Sequence, residues 1–469
     1  MGMRSIFVLV FILLLITQAA YAEKGWFPYW FPADPSKAPD YLGLPASAFN
    51  AGKDVLDPPA GKHGFVKVKD GHFYFEDGTR ARFWGTNICF GACFPEHKDA
   101  EVMANRIAYF GFNAVRLHHM DMRLEPDGIF ESPGKLSLRQ LDKLDYLIFQ
   151  LKQRGIYVNI NTLVSRYFKK FEGVIDAEKL DMAAKPVSLF DARLIELQKQ
   201  YDKDLLTHLN PYTKLRYCDD PAVCLVEITN ENTLVELNRS SLPKYYQKKL
   251  DELTDNGKIP LYEIEKKYLT DMYAYLRHAI GIKVPISIGG SWDPAQWKLQ
   301  QECLDYVDMH GYWDHPYFPH KQWDENDFCM DNESMLTDNN LGMIGKFKEC
   351  PKKNIPYVIS EWGHCYPNPY AYETPVLLAS VARQENWDGL FQFAWAHSQE
   401  DLTNYDNINN YFNINPNAQQ LILCSYGSRI FLSNDNPKIP FIGQIRNTGS
   451  GWSSAERFNW GTSPTLMQK

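Results

Sequence analysis

The chain reads as an α/β protein, a (β/α)8 TIM barrel with an N-terminal β-hairpin and a short irregular C-terminal tail. Three features carry that expectation. Eight short apolar segments recur at 83–90, 112–119, 156–163, 222–231, 284–291, 304–310, 355–362 and 389–395. Each is followed by a helical or loop-plus-helix stretch, the alternation that builds a parallel sheet. The series is continuous from about residue 64 to 426, and eight such units close a barrel.

The elements follow in order. Residues 1–22 open Met1-Gly2-Met3-Arg4, continue through an apolar run at 6–16 and end on Ala20-Tyr21-Ala22. This is the layout of a secretory signal cleaved after Ala22, and the run is too short to span a membrane. The chain is therefore expected to be exported, to the exterior or a periplasm, with no membrane contact beyond export. Residues 23–63, rich in Pro, Trp and Tyr, read as an irregular lead-in, and the barrel domain is expected at 64–432. Segments 64–69 and 72–75, joined by Lys69-Asp70-Gly71, read as a β-hairpin that plugs the barrel bottom. Ser137 and Gln140 form a capping box before Leu138, Leu141, Leu144, Leu147 and Leu151, which share one helix face, and Arg154-Gly155 ends that helix. Thr374-Pro375 starts another. The connection at 164–220 exceeds a minimal βα loop, and such length on the C-terminal face builds binding surface. Residues 418–430 supply the eighth helix. The polar tail at 433–469 is shorter than the roughly 100 residues of a β-sandwich domain.

Composition narrows the partners. Removing residues 1–22 takes away one of the 49 Lys+Arg, Arg4, leaving 48 against 57 Asp+Glu and a formal charge of −9. Nucleic acids and anionic membranes reward clustered cations, so neither is expected as a partner, whereas a neutral polymer suits such a surface. Nine cysteines are sparse and odd in number, which excludes a disulfide-dense scaffold. Export permits bridges, with Cys89/Cys93 and Cys218/Cys224 the nearest neighbours in sequence. The sequence does not fix an oligomeric state.

Two strings carry the chemistry. Val226-Glu227-Ile228-Thr229-Asn230-Glu231 and Tyr357-Val358-Ile359-Ser360-Glu361-Trp362 each run an apolar strand into a terminal glutamate. In a barrel, strand ends face the active-site mouth, so Glu231 on strand 4 and Glu361 on strand 7 converge across it. Two carboxyls in one partly desolvated pocket push their pKa values apart, as acid–base work on an acetal requires. The pair points to glycoside hydrolysis, and a separation near 5–5.5 Å would make it retaining.

Further strings extend the pattern: Phe83-Trp84-Gly85-Thr86-Asn87, Asn113-Ala114-Val115-Arg116-Leu117, His310-Gly311-Tyr312 and Trp395. With Asn230-Glu231 and Glu361, their order resembles the clan A glycoside hydrolases, most closely family 5, the cellulase and mannanase family, over about residues 64–430. The resemblance implies that Glu231 is the general acid/base and Glu361 the nucleophile. Arg116 and Tyr312 would hold Glu361 ionised, while Glu231, with no cation in its own motif, would keep a raised pKa. Asn230 would bond the sugar 2-hydroxyl, His310 would orient the acid/base side, and Trp395 would stack under the sugar at the cleavage point. The family's strand-3 histidine is absent here. That strand reads Tyr157-Val158-Asn159-Ile160-Asn161-Thr162, so Asn161, or His118 or His119, would take its place against substrate.

No cofactor is implied, and no metal is expected. His310, His315 and His320, with His118, His119 and Asp121, do not share a helix face, and Pro316 and Pro319 interrupt them. Phosphate-binding glycine loops, G-x-S-x-G and H-E-x-x-H are absent, so Ser291 and Ser360 read as structural. Trp292, Trp313 and Trp362 follow strands 5, 6 and 7 as cleft walls or barrel-top packing. The expected protein is a secreted retaining hydrolase of a β-linked polysaccharide or oligosaccharide, of endo-β-1,4-glucanase or β-mannanase type. An exo-acting β-glycosidase or transglycosylase on short glycans, or a non-catalytic carbohydrate-binding barrel, are the alternatives.

Overall fold

Helices cover the outside of the barrel and side chains fill the inside, so its strands are buried on both faces, polar positions such as Asn159, Asn161, Glu227 and Asp308 included. The computed structural model describes residues 30–433, apart from 42, 236, 291–292 and 351–353, together with the backbone of 458–459. The signal-like segment at 1–22, Ser291, Trp292 and most of the tail lie outside the described residues.

The barrel strands are β1 (Phe83–Cys89), β2 (Ala114–His118), β3 (Tyr157–Leu163), β4 (Val223–Asn230), β5 (Ile286–Gly289), β6 (Val307–Trp313), β7 (Tyr357–His364) and β8 (Gly389–Ala396). They pair in parallel in the order β6-β7-β8-β1-β2-β3-β4-β5. At the remaining seam, between β5 and the start of β6, Asp305 N donates to Ile286 O at 3.0 Å. The helices α1 (His97–Tyr109), α2 (Leu138–Gln153), α3 (Ala192–Leu206), α4 (Leu261–Ala274), α5 (Pro294–Cys303), α6 (Met343–Glu349), α7 (Glu373–Gln384) and α8 (Ala418–Leu432) follow their strands one for one. An additional helix, Lys244–Leu253, lies in the β4–α4 connection.

Ser137 caps α2 as the sequence predicts, but the capping box is incomplete, because the Gln140 side chain donates to Pro126 O and Gly128 O instead of returning to Ser137 N. Ser137 Oγ accepts from Gln140 N at 3.3 Å at the start of α2, and Gly155 closes that helix with a φ of 78°. Helix α7 begins at Glu373, just before Thr374, whose hydroxyl bonds His364 Nδ1 at 2.9 Å instead of capping. The hairpin pairs Val66–Lys69 with His72–Phe75 around Asp70-Gly71, whose φ values of 51° and 75° suit a two-residue primed turn. Its buried Phe73 closes the barrel bottom, edge-on to Tyr306 at 5.6 Å. Buried Asp388 fastens the plug: it accepts from Phe73 N and from Tyr357 N, each at 3.0 Å, and pairs with Arg80 at 2.8 Å.

The pairing slips once low in the barrel, between Val158 and Asn159, and four times toward the C-terminal ends, between Glu227 and Asn230, Met309 and His310, Ile359 and Trp362, and Gln392 and Ala396. Such irregularities re-aim side chains and cluster beside active sites. All nine cysteines are free thiols. Among the described residues no helix is long and apolar enough to cross a membrane. The two-residue strand Phe458–Asn459 pairs antiparallel with Cys329–Met330.

Phe73→Ala would remove the ring that fills the barrel bottom. The expected cost is about 3–5 kcal/mol, the range for an emptied core phenylalanine site. Urea denaturation measures it, and an unchanged midpoint would show that the plug does not stabilise the barrel.

Candidate active site

Arg116 is the only residue of β2 whose side chain reaches both glutamate strands, and it does so fully buried. Its Nε and Nη2 meet Glu227 in a forked pair at 2.7–3.0 Å. Its Nη1 donates to Asn87 Oδ1 at 2.9 Å and to Glu361 Oε1 at 2.8 Å, and its Nη2 also donates to Asn230 Oδ1 at 2.7 Å. Burial opposes the guanidinium charge, but Glu227 and Glu361 outweigh it and raise the pKa further. Glu227 is completed from β3, where Asn159 Nδ2 donates at 2.5 Å and Asn161 Nδ2 at 2.6 Å.

Glu361 is almost fully buried on β7, with Oε1 on Arg116 and Oε2 accepting from the Tyr312 hydroxyl at 2.6 Å. Burial and then Glu361 raise the Tyr312 pKa, which keeps the phenol a donor. His118 Nε2 lies 3.3 Å from Glu361 Oε1, and burial followed by Arg116 pushes its pKa well down, so the ring is neutral.

Glu231 follows the last residue of β4. Its φ of 45° is left-handed, and this turn carries the side chain, half exposed, across the mouth. Its Oε1 meets His310 Nδ1 at 2.6 Å. Partial desolvation works to raise the Glu231 pKa, but His310, with help from Lys185 and Arg116, outweighs it and lowers the pKa well below the ordinary glutamate value. Burial opposes the His310 charge, but Glu361 and Glu231 raise its pKa. The raised pKa expected for Glu231 is therefore corrected. The motif shows no cation, but the fold brings one from β6. A carboxylate oxygen of Glu231, one of Glu361 and a ring nitrogen of His310 all lie within 4.8 Å of one another.

Asn230 ends β4, and its Oδ1 accepts from Arg116 Nη2 at 2.7 Å and from Asn161 Nδ2 at 3.4 Å. His119, beside His118, stacks on Phe90 at 4.2 Å and bonds Ser165 Oγ at 2.9 Å, at the rim. Two expectations fail. Asn161 is fully buried under Glu227 and acts through that carboxylate, not on substrate. Trp395 is 1 % exposed and packs edge-on against Phe112 at 6.1 Å, outside the barrel. Between Gln392 and Ala396 strand β8 carries two more residues than its partner β1, so regular pairing ends there, and Phe393, not Trp395, lies on the inner side. Its ring lies 6.0 Å from Tyr312 and 5.9 Å from His118. Trp362 is likewise buried, against Trp84 at 5.9 Å, while Trp313 is partly exposed and donates to Glu333 O at 2.9 Å.

Sequence reasoning missed Glu227, Asn87, Asn159 and the pair Gly289-Gly290. A charged residue inside an apolar strand, and amides two apart on the strand before it, were signals for Glu227 and Asn159, while Asn87 had none of its own. For the glycines the signal is only visible in space: a Cβ at Gly289 would lie 2.6 Å from Arg116 Nη2 and closer still to Asn230 Oδ1, and one at Gly290 would overlap the His310 ring.

No protein-family model and no curated protein matches the chain. Solved structures do. A glycoside hydrolase family 5 mannosidase from Rhizomucor miehei superposes with a TM-score of 0.55 at 14% identity, over 79% of this chain and 98% of that one. The endo-β-1,4-mannanase from Thermotoga petrophila gives 0.52 at 17%, over 79% of each chain. An exo-β-1,4-mannosidase from Opitutaceae bacterium strain TAV5 gives 0.50 at 17%, over 78% of this chain and 63% of that one. The class defined by fold is thus the (β/α)8 barrel, in agreement with the strand order described above.

Gly289→Ala would force the Arg116–Asn230 contact apart and is expected to cost about 1–3 kcal/mol, the usual penalty of overpacking. A denaturation midpoint equal to that of the unsubstituted protein would contradict the close approach. The Glu231–His310 pair adds a pH dependence. The contribution of Glu231 is complete above the ordinary glutamate pKa of about 4.3 and is lost as pH falls through its lowered value. That of His310 is complete below about 6.5 and is lost as pH rises through its raised value. The difference in Tm between the unsubstituted protein and His310→Gln is expected to be widest between these pH values and to shrink on either side. Calorimetry across the range tests this, and a pH-independent difference would exclude the ion pair.

Proposed function

We propose that the chain is a retaining glycoside hydrolase acting on β-mannan or β-manno-oligosaccharides, with Glu361 as nucleophile and Glu231 as general acid/base. The observation that carries this reading is the approach of the two carboxyls to within 4.8 Å. Retaining enzymes hold theirs about 5–5.5 Å apart, whereas an inverting enzyme needs about 6.5–9.5 Å to admit a water between them. The mannan-active proteins among the similar structures support the sugar class.

In this reading a Glu361 oxygen attacks the anomeric carbon as the bond to the leaving oxygen breaks, and that oxygen takes the proton of Glu231. A water then gives its proton to Glu231 and attacks the same carbon, which releases Glu361. Without substrate the shared proton of the Glu231–His310 pair resides on His310. A leaving group that displaces water from the half-exposed Glu231 makes separated charges costlier, and the proton crosses the 2.6 Å contact to the carboxylate. The free Asn230 amide nitrogen donates to the hydroxyl beside the anomeric carbon, a bond that strengthens as positive charge develops there. Phe393 supplies the apolar ring expected of Trp395, and His118 and His119 address the neighbouring sugar. The layout of residues 1–22 supports export, which N-terminal sequencing of the protein from culture medium tests.

The test is reducing-end release from mannan, β-glucan and xylan by the unsubstituted protein, Glu231→Ala and Glu361→Ala, with and without azide. Both variants are expected to lose about 10²–10⁴-fold or more on mannan. Azide is expected to rescue Glu361→Ala as a glycosyl azide of inverted configuration. Undiminished activity in either variant would remove that glutamate from the mechanism. Product length separates endo from exo action.

A further inference from the structure

Of the histidines that recur from His310 to His320, the proposed chemistry uses His310 alone. His315 and His320 lie in a hairpin that leaves the end of β6 beside the mouth. Asp314, with a left-handed φ of 55°, closes its base: the carboxylate accepts from Asp331 N at 2.7 Å, Asn332 N at 3.0 Å and Asn368 Nδ2 at 2.6 Å. In the middle, Tyr317 and Cys329 exchange backbone hydrogen bonds at 2.9 and 2.8 Å. Toward the tip His320 Nδ1 lies 2.6 Å from Asp327 Oδ2, and Asn410 Nδ2, from the β8–α8 connection, donates to Glu325 Oε1 at 2.6 Å. A surface connection fastened in this way holds its side chains at set positions, as a binding loop on a barrel must.

The residue it presents is Trp323. Its ring is 50 % exposed, and its φ of 65° lies in the left-handed region, which a bulky residue occupies only where the surrounding structure imposes it. The ring meets His315 at 5.6 Å and Phe318 at 5.3 Å. His315 stands perpendicular to Tyr312 at 5.2 Å and lies 5.6 Å from Phe412. Since the Tyr312 hydroxyl donates to Glu361, the series Trp323, His315, Tyr312 leads from the exposed ring to the proposed nucleophile.

His315 has one fixed hydrogen. Its Nδ1 lies 2.8 Å from Pro316 O, and a carbonyl oxygen can only accept, so Nδ1 carries the hydrogen. Burial against the neighbouring rings lowers the imidazole pKa, which keeps the ring neutral. Nε2 is then a lone pair without a hydrogen, on an exposed residue close enough to Glu231 and Glu361 for their charges to act on it. A pyranose offers C–H faces that pack on an indole and hydroxyl hydrogens at its edge that need acceptors.

We infer that Trp323 and His315 form a sugar subsite beside the cleavage point, in which the pyranose lies on the indole and one of its hydroxyls donates to His315 Nε2. His315 is thus a specificity residue: a hydroxyl at that place is accepted, whereas a substituent that can only accept, such as fluorine, leaves Nε2 unmet.

This inference rests on the chain being a glycan-active enzyme, and the experiment lets the two fail separately. Calorimetry with Glu361→Gln, which removes the proposed nucleophile, measures binding of β-1,4-linked manno-, gluco- and xylo-oligosaccharides without turnover. In that background Trp323→Ala and His315→Phe, which keeps a ring against Phe412 but has no lone pair, are each expected to weaken binding about tenfold. His315→Gln, whose amide oxygen can accept, is expected to lose less than about threefold. Oligosaccharides carrying fluorine in place of one hydroxyl at a time locate the contact: at one position the fluorine is expected to cost about tenfold with His315 present and nothing in His315→Phe. Fluorine losses that are the same in both would overturn the hydrogen bond, and full binding by Trp323→Ala would overturn the subsite. The same coupling on a gluco-oligosaccharide would change the sugar class and leave the subsite standing. Coupled binding without turnover by the unsubstituted protein would sink the hydrolase reading alone. Failure of every oligosaccharide to bind would overturn the subsite as well.

Discussion

A single buried cation, Arg116, lies between Glu227 and Glu361, and the arrangement of the mouth depends on it. A guanidinium taken from water costs several kcal/mol unless its protons are all used. Here they are spread over Glu227, Glu361, Asn87 and Asn230. Because the guanidinium is a rigid plane, fixing it against Glu227 also fixes where Glu361 and the Asn230 amide must lie. Glu227 itself touches nothing outside the barrel interior, and its task is to anchor this plane from below with Asn159 and Asn161. Lysine could supply the charge at position 116 but not the five directed protons.

The barrel accommodates this polar cluster by giving up regularity where the cluster enters. Strand β5 ends on Gly289 and is followed by Gly290, and the room left by their missing side chains is occupied by Arg116, Asn230 and the His310 ring. The slips in pairing near Asn230, His310, Glu361 and Ala396 fall at the same height. Below them, Phe73, Phe83, Tyr306 and Phe391 pack as an apolar floor, so the polar layer has one exit, toward the C-terminal face. A rigid floor and an irregular rim are what a (β/α)8 barrel needs to hold several charged groups at set positions.

The architecture was legible in the sequence because it depends on periodicity. All eight strands, the hairpin turn at Asp70-Gly71 and the cap at Ser137 are local patterns, and each forms where it is written. Glu231, Glu361, Arg116, Asn230, His310 and Tyr312 were legible because each ends or lines a strand. What escaped the sequence depends on relations between distant elements. Trp395 lies on the outer side where the pairing of β8 with β1 becomes irregular beyond Gln392, and no local string encodes that irregularity. The pKa of Glu231 was read with the wrong sign because its cation, His310, is 79 residues away on another strand. Asn161 was assigned to substrate because its strand-end position was visible while its partner Glu227 was not recognised as buried.

The charge balance of the cluster explains why the site holds protons as it does. Four carboxyls, those of Glu227, Glu361, Glu231 and Asp308, face one permanent cation, Arg116. At low dielectric an imbalance of that size is costly, and the groups able to take up protons relieve it. Burial and then Glu227 raise the Asp308 pKa to about 8, and Glu361 and Glu231 raise that of His310 against its burial. The two sites differ in what they can do with a proton. The proton on Asp308 belongs to an oxygen without a hydrogen-bond partner and has no route out, whereas that on His310 Nδ1 lies against the half-exposed Glu231. The geometry thus relieves a surplus of negative charge on the contact between His310 and the half-exposed Glu231.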